Sequence, residues 1–134
     1  MTVTTRNSII IVAISVIMAL ICTTTYRLWK YKETVKSLTV QEPKLTDIAD
    51  GEYEGEYDLS LVYAKVKVTI NKGRIENIAI LKHDNGRGKK AEKIIEDVIG
   101  QQKLGVNAIT GATASSKAIL KAIENALQDA ETSD

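Results

Sequence analysis

Ala64-Lys65-Val66-Lys67-Val68-Thr69-Ile70 alternates small or branched apolar residues with polar ones, and Asn71-Lys72-Gly73 follows at once. A period of two puts Ala64, Val66, Val68 and Ile70 on one side of a strand and Lys65, Lys67 and Thr69 on the other, so the strand has one buried face. Gly73 can take positive φ, which makes Asn71-Lys72-Gly73 a hairpin loop. Residues 74–82, with Ile75, Ile78, Ile80 and Leu81, are the return strand. Upstream, Gly51-Glu52-Tyr53-Glu54-Gly55-Glu56-Tyr57 alternates acidic residues with Tyr or Gly. It predicts a further strand with one wet face and a bulge at Gly55.

The period then changes. Ala91, Ile94, Ile95, Val98 and Ile99 recur at helical spacing, with Gly100 placed to end that helix. Ile119, Ala122, Ile123, Ala126, Leu127 and Ala130 do the same over residues 115–130. Strands first and helices second predict an α+β domain over residues 50–130, a small antiparallel sheet with two helices packed on it, and a tail at 131–134. A core of this size is modest, so a ligand or partner is expected to add stability.

Ahead of that domain the composition differs. After a tail at residues 1–6, residues 7–26 carry no charge and are dense in Ile, Val and Leu. At about 1.5 Å per residue that run reaches roughly 30 Å, the thickness of a bilayer core. A cleaved signal peptide is the competing reading. It needs small residues before the cut, and Ile21 ahead of Cys22 fits that poorly. Tyr26-Arg27-Leu28-Trp29-Lys30-Tyr31-Lys32 has the aromatic and basic residues of a membrane interface. Residues 7–32 are therefore read as a single N-terminal transmembrane anchor with its flank, and residues 33–49, which include Pro43, as a tether. Arg27, Lys30, Lys32 and Lys36 against Glu33 lean weakly toward a cytoplasmic domain.

Residues 1–44 carry six Lys/Arg and two Asp/Glu; of the totals of 18 and 17, twelve and fifteen remain for residues 45–134. The domain is mildly acidic and has no basic stripe with interleaved aromatics, which argues against nucleic-acid binding. Cys22 is the single cysteine, so an intramolecular disulfide and a cysteine-built metal site are excluded.

Thr110-Gly111-Ala112-Thr113-Ala114-Ser115-Ser116 lies between a short connection, residues 104–109, and the last predicted helix. A helix start leaves N–H groups without intrahelical partners, and the macrodipole makes that end positive, so an anion is favoured there without Lys or Arg. Gly111 lets backbone approach a ligand, Ala112 leaves the approach open, and Thr113 and Ser115 can cap the helix or contact phosphate oxygens. On residue types alone the string reads first as an ordinary Thr/Ser cap after a glycine turn.

The context reverses that order. The stretch from Val106-Asn107-Ala108-Ile109 through Thr113 to Lys117-Ala118-Ile119 and on to Ala126-Leu127 resembles the C-terminal signature of the FMN-binding domain family. That family includes the covalent-flavin components of the Rnf complex and of the sodium-pumping NADH:quinone oxidoreductase. Asp50-Gly51-Glu52-Tyr53-Glu54-Gly55, the Asn71-Lys72-Gly73-Arg74-Ile75 hairpin, and His83 with Gly86-Arg87-Gly88 and the helix after them resemble the same family in the same order. The resemblance implies FMN as cofactor, joined through its phosphate to Thr113 by a flavin transferase. It also implies that Thr110, Gly111, Ala112, Ala114, Ser115, Ser116 and Asn107 surround the attachment. The family usually has Asp where this chain has Asn107, which keeps the shape and loses the charge. If the transferase needs that carboxylate, FMN is held at the same place without a covalent bond.

Other residues are ambiguous. Tyr53, Tyr57 and Tyr63 could flank a flavin ring, although sheet tyrosines more often pack. His83 is the one histidine, and a strand-end histidine is more often a surface or capping residue. Arg87, Lys89, Lys90 and Lys93 could meet a phosphate or an acidic partner, although a solvated face is the ordinary reading. There is no paired-carboxylate, Cys–His or Ser–His motif, which fits an electron carrier better than a stand-alone enzyme. The resemblance further implies redox partners in or at a bacterial cytoplasmic membrane, with the domain on the extracytoplasmic side, against the weak charge bias. The alternatives are a non-redox binding or assembly module of the same fold, and a flavin-dependent reductase of a small molecule.

Overall fold

The computed structural model describes residues 3–84 and 88–132. The chain divides between Ser37 and Leu38 into two compact units. The first is one helix, α1 (Val3–Ser37), longer at both ends than the predicted anchor. It is long and apolar enough to cross a membrane, and none of its apolar window is buried within the protein. Its hydroxyls turn inward along the helix: Ser15 Oγ donates to the Ile11 carbonyl at 2.6 Å, and Thr24 and Thr25 donate to carbonyls three and four residues back at 2.9–3.0 Å. Such back-bonding hides the polar groups of an otherwise greasy surface.

The second unit holds β1 (Gly51–Asp58), β2 (Tyr63–Asn71) and β3 (Arg74–Asp84) in one antiparallel sheet of order β1-β2-β3, followed by α2 (Ile94–Gln101) and α3 (Thr113–Glu131). The α+β class is as the periodicities predict. The β2–β3 turn is Lys72-Gly73, and both residues have positive φ, 51° and 68°. A two-residue turn of that hand matches the strand twist.

Ala64, Val66, Val68 and Ile70 point to one face and are buried, as are Ile75 and Ile78 of β3. α3 covers that face over β1 and β2 with Ala118, Ile119, Ala122, Ile123, Ala126 and Leu127, all fully buried. Each isoleucine or leucine buried this way contributes roughly 1.5–3 kcal/mol. Gly55 is what lets α3 come so close. A β-carbon there would lie 2.8 Å from the Ala126 Cα and inside the backbone of Ala122 and Ala126. The bulge expected at Gly55 does not exist: Gly55 pairs with Val66 in unbroken register. The irregularities fall in β3 instead, where Glu76 and Leu81 are each skipped by the pairing with β2.

The opposite face is a polar ladder. Lys65 reaches Glu54 at 3.2 Å and Lys67 reaches Glu52 at 3.3 Å, pairs worth roughly 0–1 kcal/mol each at this exposure. Tyr63 stands there too and donates its hydroxyl to Glu56 at 2.6 Å. That bond, with some desolvation and the charges of Glu56, Asp58 and Asp84, pushes its phenol up to about 12.

Two helix ends depart from expectation. Gly100 lies inside α2, and the left-handed residue that ends the helix is Gln102, φ 54°. Its side-chain amide accepts from the Ile75 N–H at 2.8 Å and donates to the Ile75 and Ile99 carbonyls at 2.8 and 2.7 Å. Those three bonds hold a conformation that glycine would take more freely. The segment read as a tether is, from Leu38 on, part of the folded unit. The Glu42 carboxylate accepts from the Leu104 and Gly105 N–H groups at 2.7 and 3.0 Å, the buried Glu124 carboxylate accepts from the Gln41 N–H at 3.0 Å, and Lys117 Nζ donates to the Leu38 carbonyl at 3.1 Å.

Candidate anion site at the start of α3

The connection ahead of α3 has no regular structure, so its position is set from outside. Glu42 fixes Leu104 and Gly105, and Leu104 itself is buried. At the other end Ser116 Oγ accepts from the Ile109 N–H at 3.0 Å. Between those two clamps the chain carries Val106, Asn107 and Ala108, with Asn107 exposed.

Residues 109–112 then form a turn closed by the Ala112 N–H to the Ile109 carbonyl, 2.9 Å, with Gly111 at φ 75°. That left-handed conformation is the one glycine adopts without strain. α3 starts at Thr113, two residues before the predicted start. Its N-cap is Ala112, and no side chain caps it. The first-turn bond runs from the Ser116 N–H to the Ala112 carbonyl at 2.9 Å. By helix geometry the N–H groups of Thr113, Ala114 and Ser115 come before it and have no partner within the helix. No acidic residue lies in the first turn.

The structure therefore separates the sequence-predicted residues into two sets. Thr110, Gly111 and Thr113 are exposed around the uncapped helix end, with Ala114 half-buried behind them. Ala112, Ser115 and Ser116 are buried, and Ser116 is used to hold Ile109. The hydroxyl that caps in the ordinary reading of this string is absent from the cap position. The end is left open, with its one exposed first-turn hydroxyl on Thr113.

Two neighbours come from outside the motif. A 3₁₀ turn, Lys89–Lys93, precedes α2 and packs near α3 through buried Ala91. Lys90 on that turn places Nζ 2.8 Å from where a β-carbon of residue 111 would be. The missing side chain of Gly111 is thus a cradle for an ammonium. His83 helps fix the turn: its side chain is 2% exposed and its Nδ1 lies 3.1 Å from Glu92 Oε1. It is a packed residue joining β3 to the turn, not the surface residue expected. Gly86 and Arg87 lie outside the described residues. Tyr53 and Tyr57 pair with Val68 and Ala64 on the α3 side of the sheet, and Tyr53 donates to the Ala49 carbonyl at 2.8 Å. Tyr63 is on the other face, committed to Glu56.

An uncapped helix end, a turn closed by glycine, an ammonium in the space left by its side chain and an exposed hydroxyl form a fitting set for a phosphate. Sequence reasoning found Gly111 and Thr113 and left Lys90 among solvated residues. The signal for it is the pairing of Gly111 with a basic turn before α2, which no local window contains.

The chain is 31% identical over 85 residues to an uncharacterized protein of Treponema pallidum (strain Nichols), a match covering 61% of this chain and 24% of that protein. The chain thus spans about a quarter of the length of the relative it matches. No solved structure matches. Residues 63–128, from the start of β2 through the greater part of α3, match the model of the FMN-binding domain. The segment from β2 through most of α3 is thus identified by that match as an FMN-binding domain, which indicates FMN as its cofactor.

Proposed function

We propose that this protein is a membrane-tethered FMN electron carrier whose flavin is joined through its phosphate to Thr113 Oγ1. The observation that carries this reading is the exposed Thr113 hydroxyl on the first residue of an uncapped 19-residue helix. FMN bound there supplies electron transfer in steps of one or two. The protein's own residues hold and orient. The N–H groups of the first turn of α3 would donate to the phosphate oxygens, Gly111 keeps the approach clear, and Ser116 and Glu42 fix the two ends of the connection that leads in. Attachment would replace the Thr113 hydroxyl proton, which passes to solvent, by phosphorus. Simple condensation would expel water and run uphill, so a transferase must use a flavin nucleotide activated as a phosphoanhydride; the Oγ1–P bond forms as the anhydride P–O bond breaks and the other nucleotide half leaves.

Asn107 stands exposed in the lead-in, where the family usually has Asp. If the transferase needs that carboxylate, it meets a neutral amide here, and the same geometry would then hold FMN without the ester. The extracytoplasmic side of a bacterial cytoplasmic membrane, and redox partners there, belong to this proposal as well; α1 supports the anchor and the family resemblance supports the side.

The test is direct. The full chain is made in cells supplying FMN, the phosphoanhydride flavin nucleotide and a flavin transferase, precipitated with acid, and digested. We expect yellow protein, flavin that survives precipitation, and a mass increase on the peptide containing Thr113. Thr113→Val removes the increase. Colourless wild-type protein sinks the carrier reading and leaves the non-redox module. Covalent flavin persisting in Thr113→Val sinks the acceptor assignment.

A further inference from the structure

We propose that Lys90 is the counter-charge of the FMN phosphate and makes this site select phosphorylated flavin over riboflavin. The inference rests on the reading above for where the phosphate lies, and does not require the ester. It starts from a charge in the wrong place. The lysines of the sheet's outer face have carboxylates close by: Lys65 and Lys67 reach Glu54 and Glu52, and Lys82 reaches Asp84 at 3.3 Å. Lys121 reaches Glu124 at 2.7 Å. Among the described residues no carboxylate pairs with Lys90. Its ammonium instead rests on Gly111, one turn ahead of α3.

That is the positive end of a long helix, worth roughly half an elementary charge, and a cation there is opposed by the dipole. The first turn of α3 has no acidic residue to offset it. The arrangement becomes favourable once an anion enters. A phosphate monoester carries about −1.5 to −2 charges at neutral pH, which one ammonium and the helix end together nearly balance.

The backbone of the turn that carries the exposed Lys90 side chain is also built in. Lys90 is the second residue of a short 3₁₀ turn whose Ala91 is fully buried and whose Glu92 is tied to the buried His83 side chain. Lys89 and Lys93 share the same turn, and neither touches the Gly111 cradle. Lys90 is therefore a cofactor-binding residue distinguished from its neighbours by geometry and not by charge.

The full chain, purified in detergent from cells lacking a flavin transferase, is titrated with FMN and with riboflavin, following flavin fluorescence at low salt. We expect FMN to bind at least about tenfold tighter than riboflavin, since charge-assisted bonds to phosphate are lost in riboflavin. Lys90→Gln weakens FMN about tenfold and leaves riboflavin unchanged; Lys90→Arg retains most FMN affinity; Lys89→Gln changes neither. The difference between the FMN and riboflavin responses within one variant separates a charge effect from misfolding. Equal losses of FMN affinity in Lys90→Gln and Lys89→Gln, equal losses of FMN and riboflavin in Lys90→Gln, or wild-type protein that does not prefer FMN would each overturn the proposal. Thr113 esterification is read separately by peptide mass, so failure of the ester leaves this result intact, and the reverse.

Discussion

At position 55 a single methyl group has nowhere to go. The helix backbone at Ala122 and Ala126 occupies the space, and backbone cannot swing aside as a lysine tip can. Gly55→Ala should therefore cost about 3 kcal/mol, the upper range for overpacking, read as a lower urea midpoint with unchanged slope. An unaltered midpoint would mean that α3 shifts freely over the sheet. Gly111→Ala differs in kind, because there the obstacle is the end of a flexible side chain and the strain is in φ. The two glycines also differ in legibility. Gly111, between a connection and a helix, announces a turn from its neighbours alone. Gly55 in an alternating strand is compatible with a bulge or with close approach, and small residues far along the chain decide between them. Gln102 was hidden for a similar reason: its left-handed φ is held by bonds to Ile75, a partner on a different strand.

Among the elements, the sheet and both helices were legible because their periods of two and 3.6 are local properties. Residues 38–50 were not. Their contribution is made by Glu42 and the Gln41 N–H reaching distant groups, which leaves no periodic trace and looks like a polar tether. This strap and the lead-in to the site stabilise each other. Glu42→Ala removes the acceptor for two N–H groups, and the loss should be modest, about 1 kcal/mol, because the carboxylate is exposed. The local effect should be larger than the global one. Hydrogen exchange at Leu104 and Gly105 is expected to speed up well beyond that of the β2 amides, whereas uniform change across the domain would show that the strap only adds to overall stability.

At the scale of the whole chain, a helix fit to cross a membrane precedes an FMN-binding domain, and the side on which that domain works follows from neither. Juxtamembrane lysines lean one way and the family resemblance the other. A fusion of alkaline phosphatase after α3 should be active in bacteria if the domain is exported; an inactive fusion, with a cytoplasmic reporter active at the same joint, would place it inside. The chain order has another consequence, in time instead of space. The strands are synthesised before α3, so Ala64, Val66, Val68 and Ile70 have no cover until that helix has emerged. The half-made domain therefore offers a sticky apolar face and no place for a phosphate. On the proposed placement of the flavin, completing the lid and creating its site are one event, so a chain stalled before α3 could neither hide its core nor take up FMN there.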